Sequence, residues 1–228
     1  YLVARNWTRV LVLEGPAPAD KREVAAFQRS ARKFGATVGE VRPFVLGEDP
    51  RHRNENNVAL LTAGADPDVI FVADSGGEEG RYVPYETSKP TPVVGDAGLM
   101  ALAWHWSWFR NGAPQLQHRF EKLAMPRRMN GNAWAAWAAV KAVTTAAMRS
   151  DPKSFDKMRK FMLGPKIGID GAKGRPMSFR PWNHQLRQQI LLATPDAVIA
   201  NAPLPQYLHE TNVLDTLGTD APETKCHF

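Results

Sequence analysis

Short apolar runs alternate with longer segments of helical periodicity in the first half of the chain. The run Val69-Ile-Phe-Val-Ala73 is apolar at every position and rich in β-branched residues, which is typical of a parallel strand buried on both faces. Residues 9–14 form a similar run, and apolar and polar residues alternate over 36–44. Together with a short run at 91–95, the pattern predicts four β-strands.

Helical segments separate these strands and define the topology. One helix is predicted to end at Phe34, where Gly35 provides a C-terminal cap, and a short helix is predicted over 54–63. Alternating strands and helices indicate an α/β fold with a flavodoxin-like parallel sheet. With right-handed crossovers the strand order is 2-1-3-4, so the loops at 14–18 and 74–79 face one crevice at the carboxyl ends of the strands.

The loop after strand three is acidic and rich in glycine. It contains Asp74, Ser75, Gly76, Gly77, Glu78 and Glu79, and Asp96 follows strand four at the same end of the sheet. Carboxylates at a strand end are hard oxygen ligands, so this cluster predicts a site for a cation or an ammonium group. The alternative is helix capping, in which Ser75 or Asp74 caps the next helix and the two glutamates occupy its first turn.

The second half of the chain lacks this regular alternation of strands and helices. Trp104-His-Trp-Ser-Trp-Phe109, with polar residues at alternate positions, predicts a strand that crosses between layers. Two helices are predicted over 115–123 and 132–148. After 157–163 come a long glycine-containing loop, strands over 176–181 and 186–193, and an extended, irregular tail over 202–228. In the second helix, Trp134, Trp137 and Val140 form an apolar stripe for which the predicted strands provide no opposing sheet.

Two further features invite a functional interpretation. The tryptophans at 104, 106 and 108 are suited to stacking on a ligand ring, although such runs are more often core or lobe interface. The segment 168–174 lacks the Gly-Lys-Ser/Thr ending of a phosphate-binding loop and does not lie between a strand and a helix, which excludes that interpretation. The sequence has no His-Glu-x-x-His pair and no Gly-x-Ser-x-Gly elbow, so neither a zinc hydrolase nor a serine hydrolase is supported.

Composition narrows the class of protein. The chain has 228 residues, 43% of them hydrophobic, and no apolar run approaches the roughly 18–20 residues that a membrane span requires. Its net charge is +6, but the 29 Lys and Arg residues are scattered, which indicates a solvated basic surface rather than a nucleic-acid interface. The single cysteine, Cys226, excludes a zinc-finger cluster and any disulfide within the chain. Because the sequence starts at Tyr1 without an initiator Met or a signal-peptide apolar segment, a processed product or a fragment is expected.

A series of short motifs carries a family resemblance. In chain order they are Tyr1-Leu-Val-Ala-Arg-Asn-Trp7, Phe71-Val-Ala-Asp74, Pro92-Val-Val-Gly95, Ala103-Trp-His105, Gly112-Ala-Pro-Gln-Leu-Gln117, Ser178-Phe-Arg-Pro-Trp182, Gln185-Leu-Arg-Gln188 and Leu214-Asp-Thr-Leu-Gly218. These motifs resemble those of the type I periplasmic substrate-binding proteins of ABC transporters, the family of the branched-chain amino acid receptors. The narrower resemblance is to the branch found with PQQ-dependent alcohol dehydrogenase systems, and it covers nearly the whole chain.

The resemblance implies two α/β lobes that close over a ligand, of which this chain contains mainly the second. Residues 1–110 would form most of the second lobe, 111–169 would return as helices to a first lobe that is largely missing, 170–203 would complete the second lobe, and 204–228 would be a tail. The missing sheet of the first lobe would then account for the unmatched stripe at Trp134. A disulfide from Cys226 to a cysteine in the missing part is also expected.

The family pattern places ligand contacts in the loops after strands one, three and four. The candidate ligand-binding residues are Glu14, Pro16, Asp74, Ser75, Glu78, Asp96, Trp104 and His105. The strand-three loop is more acidic than in the amino acid receptors, which argues against an amino acid ligand. An alcohol-derived small molecule, a quinone cofactor precursor and a metal ion are the alternatives.

The function implied is that of a solute-binding component of an ABC transporter linked to PQQ-dependent alcohol oxidation. Such a protein is periplasmic, has no catalysis or cofactor of its own, and works with a membrane permease, with components of the quinoprotein dehydrogenase as further partners. One alternative is an accessory or sensor protein of the dehydrogenase that does not serve transport. A less favoured alternative is a flavodoxin-like enzyme, which lacks support because no phosphate fingerprint and no paired nucleophile and base are present.

Overall fold

Two units make up the protein. The computed structural model describes residues 1–45 and 55–226, which divide into a first unit, Tyr1–Met100, and a second unit, Ala101–Phe228. Within the described ranges, no helix combines the length and apolar character needed to cross a membrane. The assignment of the second unit to parts of two lobes stays a prediction.

The first unit is built on a parallel sheet. Its strands are β1 (Arg9–Glu14), β2 (Thr37–Pro43), β3 (Val69–Ala73) and β4 (Val93–Gly95). They pair in parallel in the order β2-β1-β3-β4, which confirms the order predicted from the sequence. All five residues of β3 are buried, as expected for a central strand covered on both faces.

Alternation along β1 and β3 creates two apolar clusters. Leu11, Leu13, Ile70 and Val72 belong to one cluster, whereas their neighbours Val10, Val12, Val69 and Phe71 belong to the other. Successive side chains of a strand point to opposite faces, so each face of the sheet has its own core. On one face the ring of Phe27 stacks on that of Phe71, with 3.9 Å between the ring centroids.

Helices connect the strands of the first unit. They are α1 (Pro18–Phe34), α2 (Val58–Thr62) and α3 (Val83–Glu86), with 3-10 turns at Val3–Arg5 and Gly80–Tyr82. Helix α1 ends at Gly35, whose φ of 81° lies in the left-handed region that favours glycine, as predicted. The predicted start of the second helix at 54 lies outside the described residues. Its described part begins after Asn57, whose side chain accepts a hydrogen bond from Leu60 N.

The second unit contains short strands and longer helices. Strand β5 (Met100–Leu102) starts at the last residue of the first unit. It forms one sheet with β8 (Ile190–Ala193) and β9 (Val198–Ala202), and β6 (Ser178–Phe179) pairs with β7 (Leu186–Arg187). The helices are α4 (Ala113–Ala124) and α5 (Gly131–Arg149), both close to the predicted bounds, and α6 (Phe155–Met162). The sequence analysis predicted one strand where β7 and β8 lie, and it missed β9.

The aromatic run at 104–109 is not a strand, so that prediction was wrong. The segment follows β5 as a turn, in which Trp108 N donates to the carbonyl of His105. Trp104 and Trp108 are both buried in the apolar core of the second unit, and Trp106 carries the guanidinium of Arg128 over its ring at 3.7 Å. Polar residues at alternate positions suggested a strand, but His105 and Ser107 are buried and hydrogen-bond to each other.

Trp134 has a partner within the second unit, which corrects the expectation that it faces a missing sheet. Its ring is 1% exposed and lies parallel to that of Trp104, with 6.3 Å between the ring centroids. The indole Nε1 donates to the carbonyl of Gly171. The predicted apolar stripe is therefore not buried along its whole length: Trp134 lies in the core, whereas Val140 is 65% exposed.

The tail is anchored rather than loose. Asp215 is 2% exposed and accepts hydrogen bonds from Arg180 Nε at 3.0 Å and from Arg187 Nε and Nη2 at 2.7 and 2.9 Å. Arg180 Nη2 also donates to the carbonyls of Leu214 and Leu217. Three of the motifs noted in the sequence thus meet in one buried ion cluster, which fixes the tail to the β6–β7 ribbon.

Replacement of Asp215 by Asn tests this cluster. The variant keeps the shape of the side chain but removes the Asp215 charge from the buried guanidinium of Arg180 and the half-buried guanidinium of Arg187, which costs about 3–5 kcal/mol of unfolding free energy. Urea denaturation of Asp215→Asn should show this loss, whereas Glu210→Gln, at an exposed position of the same tail, should match the wild-type protein. Equal stability of the two variants would contradict the anchoring role.

Lys173 is a buried cation at the centre of the second unit. It is 1% exposed, and its ammonium donates to the carbonyls of Ala103 and Gln189 at 2.9 and 2.6 Å and to Gln188 Oε1 at 2.6 Å. The same group lies 3.7 Å from the centroid of the Trp134 ring. Burial lowers the pKa of Lys173 from 10.5 to about 7, while the three acceptors and the ring favour the charged form.

Lys173→Met removes the donor and keeps a side chain of similar length. Each acceptor left unpaired in the core costs about 1–3 kcal/mol, so urea denaturation at pH 9 should show a clear loss of stability. The folded pKa lies below that of the unfolded chain, so the stability contributed by Lys173 is fully present above pH 10.5 and is lost as the pH falls through about 7. The advantage of the wild-type protein should therefore shrink at pH 6. Lys166→Met, at an exposed position, should change nothing at either pH.

Candidate functional site

The loops after β1, β3 and β4 meet at one edge of the sheet. Glu14 pairs with Ala73, and Val72 pairs with Gly95, so the residues that follow all leave the sheet at its carboxyl end. The backbone N–H of Asp74 donates to Asp96 Oδ2 at 2.8 Å, which joins the β3 loop to the β4 loop. The structure thus brings Asp74, Ser75 and Asp96 together, and it adds Asp20 and Glu23 from α1.

Asp74 organises its own loop. Its carboxylate accepts hydrogen bonds from the backbone N–H groups of Gly77, Glu79 and Gly80, at 3.2, 3.0 and 2.7 Å. The residue is 7% exposed, and a Cβ at Gly80 would lie 3.1 Å from Asp74 Oδ2. This arrangement supports the part of the capping alternative that concerns Asp74, because the carboxylate holds the start of the 3-10 turn that follows. Glu78 and Glu79 precede that turn and do not lie in its first turn.

Asp20 is a buried carboxylate that the sequence analysis missed. It is 1% exposed and accepts hydrogen bonds from Ala17 N, Ser75 N and Ser75 Oγ at 2.9, 2.9 and 2.5 Å. Burial raises its pKa, but the hydrogen bonds from Ser75 and Ala17 outweigh burial and hold the pKa below 3.8. A Cβ at Gly15 would lie 2.3 Å from Asp20 Oδ2, so glycine is required for this close approach.

Glu23 lies one turn further along α1 and was also missed. Its half-buried carboxyl group lies close enough to the carboxylate of Asp96 for the two charges to interact. Burial, the charge and hydrogen bond of Asp96 and the charge of Asp20 together raise the pKa of Glu23 to about 7. The positions of Asp20 in the first helical turn and of Glu23 three residues later were the signals in the sequence, since such residues share one face of a helix.

Three other candidate residues lie around this cluster. Glu14 is half-buried at the end of β1, whereas Pro16 and Glu78 are exposed. Within the described ranges, the carboxylates of Glu14 and Glu78 make no hydrogen bond, so both remain available to a ligand. Among the same residues, no group of three or more His, Cys, Asp or Glu side chains is arranged to hold a metal ion.

Trp104 and His105 lie in the second unit and are both buried there. His105 Nε2 is 3.2 Å from the carbonyl of Pro195, and Nδ1 is 2.8 Å from Ser107 Oγ. A carbonyl only accepts, so Nε2 carries the proton and Nδ1 accepts from the Ser107 hydroxyl. Burial lowers the pKa of His105, which favours the neutral ring. These contacts support a core role for Trp104 and His105, the more common of the two interpretations of the aromatic run.

Asp74→Ala separates a structural carboxylate from a ligand-binding one. The substitution leaves the N–H groups of Gly77, Glu79 and Gly80 without their acceptor, and we expect a loss of about 1–3 kcal/mol in unfolding free energy. Thermal and urea denaturation measure this loss, and Glu78→Ala in the same loop is the matched control with no loss. If Asp74→Ala is as stable as the control, the structural role of Asp74 is contradicted and its carboxylate stays a candidate ligand-binding group.

Comparisons of sequence identify no relative. No protein-family model matches the chain. No curated protein matches it either.

Comparisons of structure identify many neighbours. A branched-chain amino acid ABC transporter periplasmic ligand-binding protein from Burkholderia xenovorans has a TM-score of 0.68 at 15% identity, covering 87% of this chain and 60% of that one. A branched-chain amino acid ABC transporter protein from Rhodospirillum rubrum has a TM-score of 0.66 at 14% identity, covering 86% and 61%. An ABC transporter solute-binding protein from R. palustris, in complex with benzoate, has a TM-score of 0.59 at 13% identity, covering 84% and 56%.

These neighbours show the fold. The chain has the α/β fold of the type I periplasmic binding proteins, with the parallel sheet in the order 2-1-3-4. It spans about 60% of the length of the neighbouring structures, so it matches only part of each.

Proposed function

We propose that this chain is part of a solute-binding component of an ABC transporter and that it binds a small solute at the carboxyl ends of β1, β3 and β4. The observation that carries the proposal is the 2-1-3-4 sheet of this fold, whose loops meet at one edge through the Asp74–Asp96 hydrogen bond. In open α/β sheets, ligands bind in the crevice at this edge. Neighbours with the same fold are named as ABC transporter binding proteins.

The charge of this edge determines the class of solute. Glu14, Glu78 and Asp96 present carboxylates beside the buried Asp20 and Asp74, and no Lys, Arg or His among the described residues is paired with any of them. An anionic solute, such as the benzoate held by one neighbour, would be repelled by these groups. We therefore propose a neutral solute with hydroxyl donors or a solute with an ammonium group.

The motif resemblance extends the proposal to the biological system. It supports a periplasmic protein that delivers an alcohol-related solute to a membrane permease, in an organism with PQQ-dependent alcohol oxidation. Components of the quinoprotein dehydrogenase are further proposed partners. Binding would proceed by closure of two lobes, without chemistry on the solute.

One observation favours a second candidate function. The oxygens of Asp20 and Asp74 are occupied by hydrogen bonds from the protein itself, which leaves fewer free polar groups at the edge than the sequence suggested. A protein with such an edge is also suited to an accessory or sensor role in which it binds a protein partner but no solute.

A ligand screen on the intact protein decides between the two functions. The panel contains short alcohols and polyols, primary amines, branched-chain amino acids, benzoate, Ca²⁺ and a lanthanide ion, with thermal shift for detection and calorimetry for affinity. We expect a polyol or an amine to bind and benzoate not to bind. Asp96→Asn should weaken binding about tenfold, equivalent to roughly 1.4 kcal/mol, whereas Glu86→Gln, exposed on α3, should not change it.

Two results would contradict the transport proposal. Absence of binding across the panel would favour the accessory role. Binding of benzoate that tightens in Asp96→Asn would show that the acidic edge repels the natural solute and is not its binding surface.

A further inference from the structure

Helix α4 ends with two protruding apolar side chains. Leu123 is 90% exposed, more than any other large hydrophobic residue that the structure describes, and Met125 follows the helix at 77% exposed. The backbone N–H of Arg127 donates to the carbonyl of Ala124 at 3.0 Å, which closes a turn with Met125 and Pro126 at its centre. Single exposed apolar residues are common on protein surfaces, so this pair becomes informative through what surrounds it.

Residues 119–128, which we call the α4 tip, are fixed to the second unit at both ends. Phe120 packs against the apolar core of that unit, and Met129, directly after the tip, is buried in the same core. The guanidinium of Arg128 lies 3.7 Å from the centroid of the Trp106 ring. The two apolar side chains therefore project into solvent from a segment that is held in place.

Positive charge surrounds these apolar side chains. The α4 tip contains four exposed cations, Arg119, Lys122, Arg127 and Arg128. Where the second unit is described, none of them is paired with a carboxylate. The one acidic residue of the tip, Glu121, accepts a hydrogen bond from a glutamine of the same helix. The α4 tip thus combines exposed apolar surface with uncompensated positive charge.

The net charge of the chain arises in the same part of the sequence. Residues 101–170 contain 12 Lys and Arg against four Asp and Glu, whereas the first unit contains 12 against 14. Residues 171–228 contain five of each. An anionic surface therefore attracts the part of the chain that carries the α4 tip before any contact is made.

We propose that the α4 tip docks on an anionic phospholipid surface. Leu123 and Met125 enter the boundary between headgroups and acyl chains, and the four cations contact the lipid phosphates. Buried apolar area and attraction to anionic headgroups are the two contributions that hold peripheral proteins on membranes. The docking surface lies in the second unit, so it does not depend on solute binding at the sheet edge of the first.

The shape of the α4 tip favours lipid over a protein partner. A specific protein interface buries about 800 Å² on each side and places its most important side chains in pockets of the partner. Two side chains on a projecting helix end are too small a surface for such an interface. A bilayer surface accepts protruding side chains without a shaped pocket, and the flanking cations then lie at the level of the headgroups.

Vesicle co-sedimentation of the intact protein measures this docking. The probes are vesicles of phosphatidylcholine alone and vesicles of equal parts phosphatidylcholine and phosphatidylglycerol. We expect binding to the anionic vesicles at about 0.1 M NaCl and binding at least tenfold weaker at about 0.5 M, because salt screens the attraction. We expect no binding to phosphatidylcholine alone.

A double variant tests the apolar contact. Leu123→Ser with Met125→Ser should weaken binding to the anionic vesicles at least tenfold, since both side chains leave water in the docked state. The matched control is Leu60→Ser with Met148→Ser, which changes the same residue types at positions 69% and 78% exposed. The control should bind as the wild-type protein does.

A second double variant tests the charge. Each cation close to an anionic surface contributes about fivefold to binding, so Arg119→Gln with Arg127→Gln should weaken it at least tenfold. The matched control, Arg29→Gln with Arg32→Gln, has the same net charge and exposed positions on α1, and it should bind as the wild-type protein does. All the changed side chains are exposed, so thermal denaturation of the four variants should match the wild type and separates lost docking from lost folding.

A fluorophore sensitive to polarity reports insertion directly. It is attached to Met125→Cys in a Cys226→Ser background, which leaves a single thiol. We expect its emission to shift to the blue when anionic vesicles are added, and to stay constant when the fluorophore is on Leu60→Cys in the same background.

Several results would overturn the proposal. Equal binding to the two kinds of vesicle, or binding to neither, would reject an anionic lipid partner. Full binding by Leu123→Ser with Met125→Ser, or no blue shift at position 125, would show that the α4 tip does not insert. An equal loss in the variants and their controls would place the docking surface elsewhere. Binding of poly-glutamate without binding of vesicles would assign the α4 tip to an acidic protein partner instead.

Discussion

Hydrogen bonds from backbone N–H groups to carboxylates hold the candidate site together. Asp74 and Asp20 are buried among such donors, and Asp96 accepts from the start of the β3 loop. A buried carboxylate without donors would be strongly unfavourable, so the loop conformations and the charges depend on each other. The parallel sheet brings the loops to one edge, and these bonds then set their shape.

Much of the first unit could be predicted from the sequence, because local hydrophobic patterns specify its strands and helices. The apolar run at Val69–Ala73 identifies a buried central strand, and short crossovers of fixed hand leave few possible strand orders. The structure also places the acidic loop at the carboxyl edge of the sheet, while its part in a binding site stays a prediction. Asp20 and Glu23 were missed because they lie on a helix, where an acidic residue usually indicates a solvated face or a favourable first turn.

The second unit was harder to predict because its stabilising contacts are distant in sequence. The partners of Trp134 include Trp104 and Lys173, and Asp215 meets Arg180 across 35 positions. Alternating polarity at 104–109 suggested a strand, but buried polar residues that bond to each other produce the same pattern. The tail has no hydrophobic periodicity from which its structure could be predicted. It is held in place by Asp215, which contacts Arg180 and Arg187 of two other motifs.

The position of Asp215 has a consequence for biosynthesis. All four strands of the first sheet lie before residue 96, so this unit can close while the ribosome is still translating the rest. By contrast, Asp215, the carboxylate that pairs with Arg180 and Arg187, is synthesised 35 and 28 residues after them. Until then the guanidinium groups of Arg180 and Arg187 lack the carboxylate that they contact in the folded protein, so this part of the second unit completes its contacts later than the first sheet.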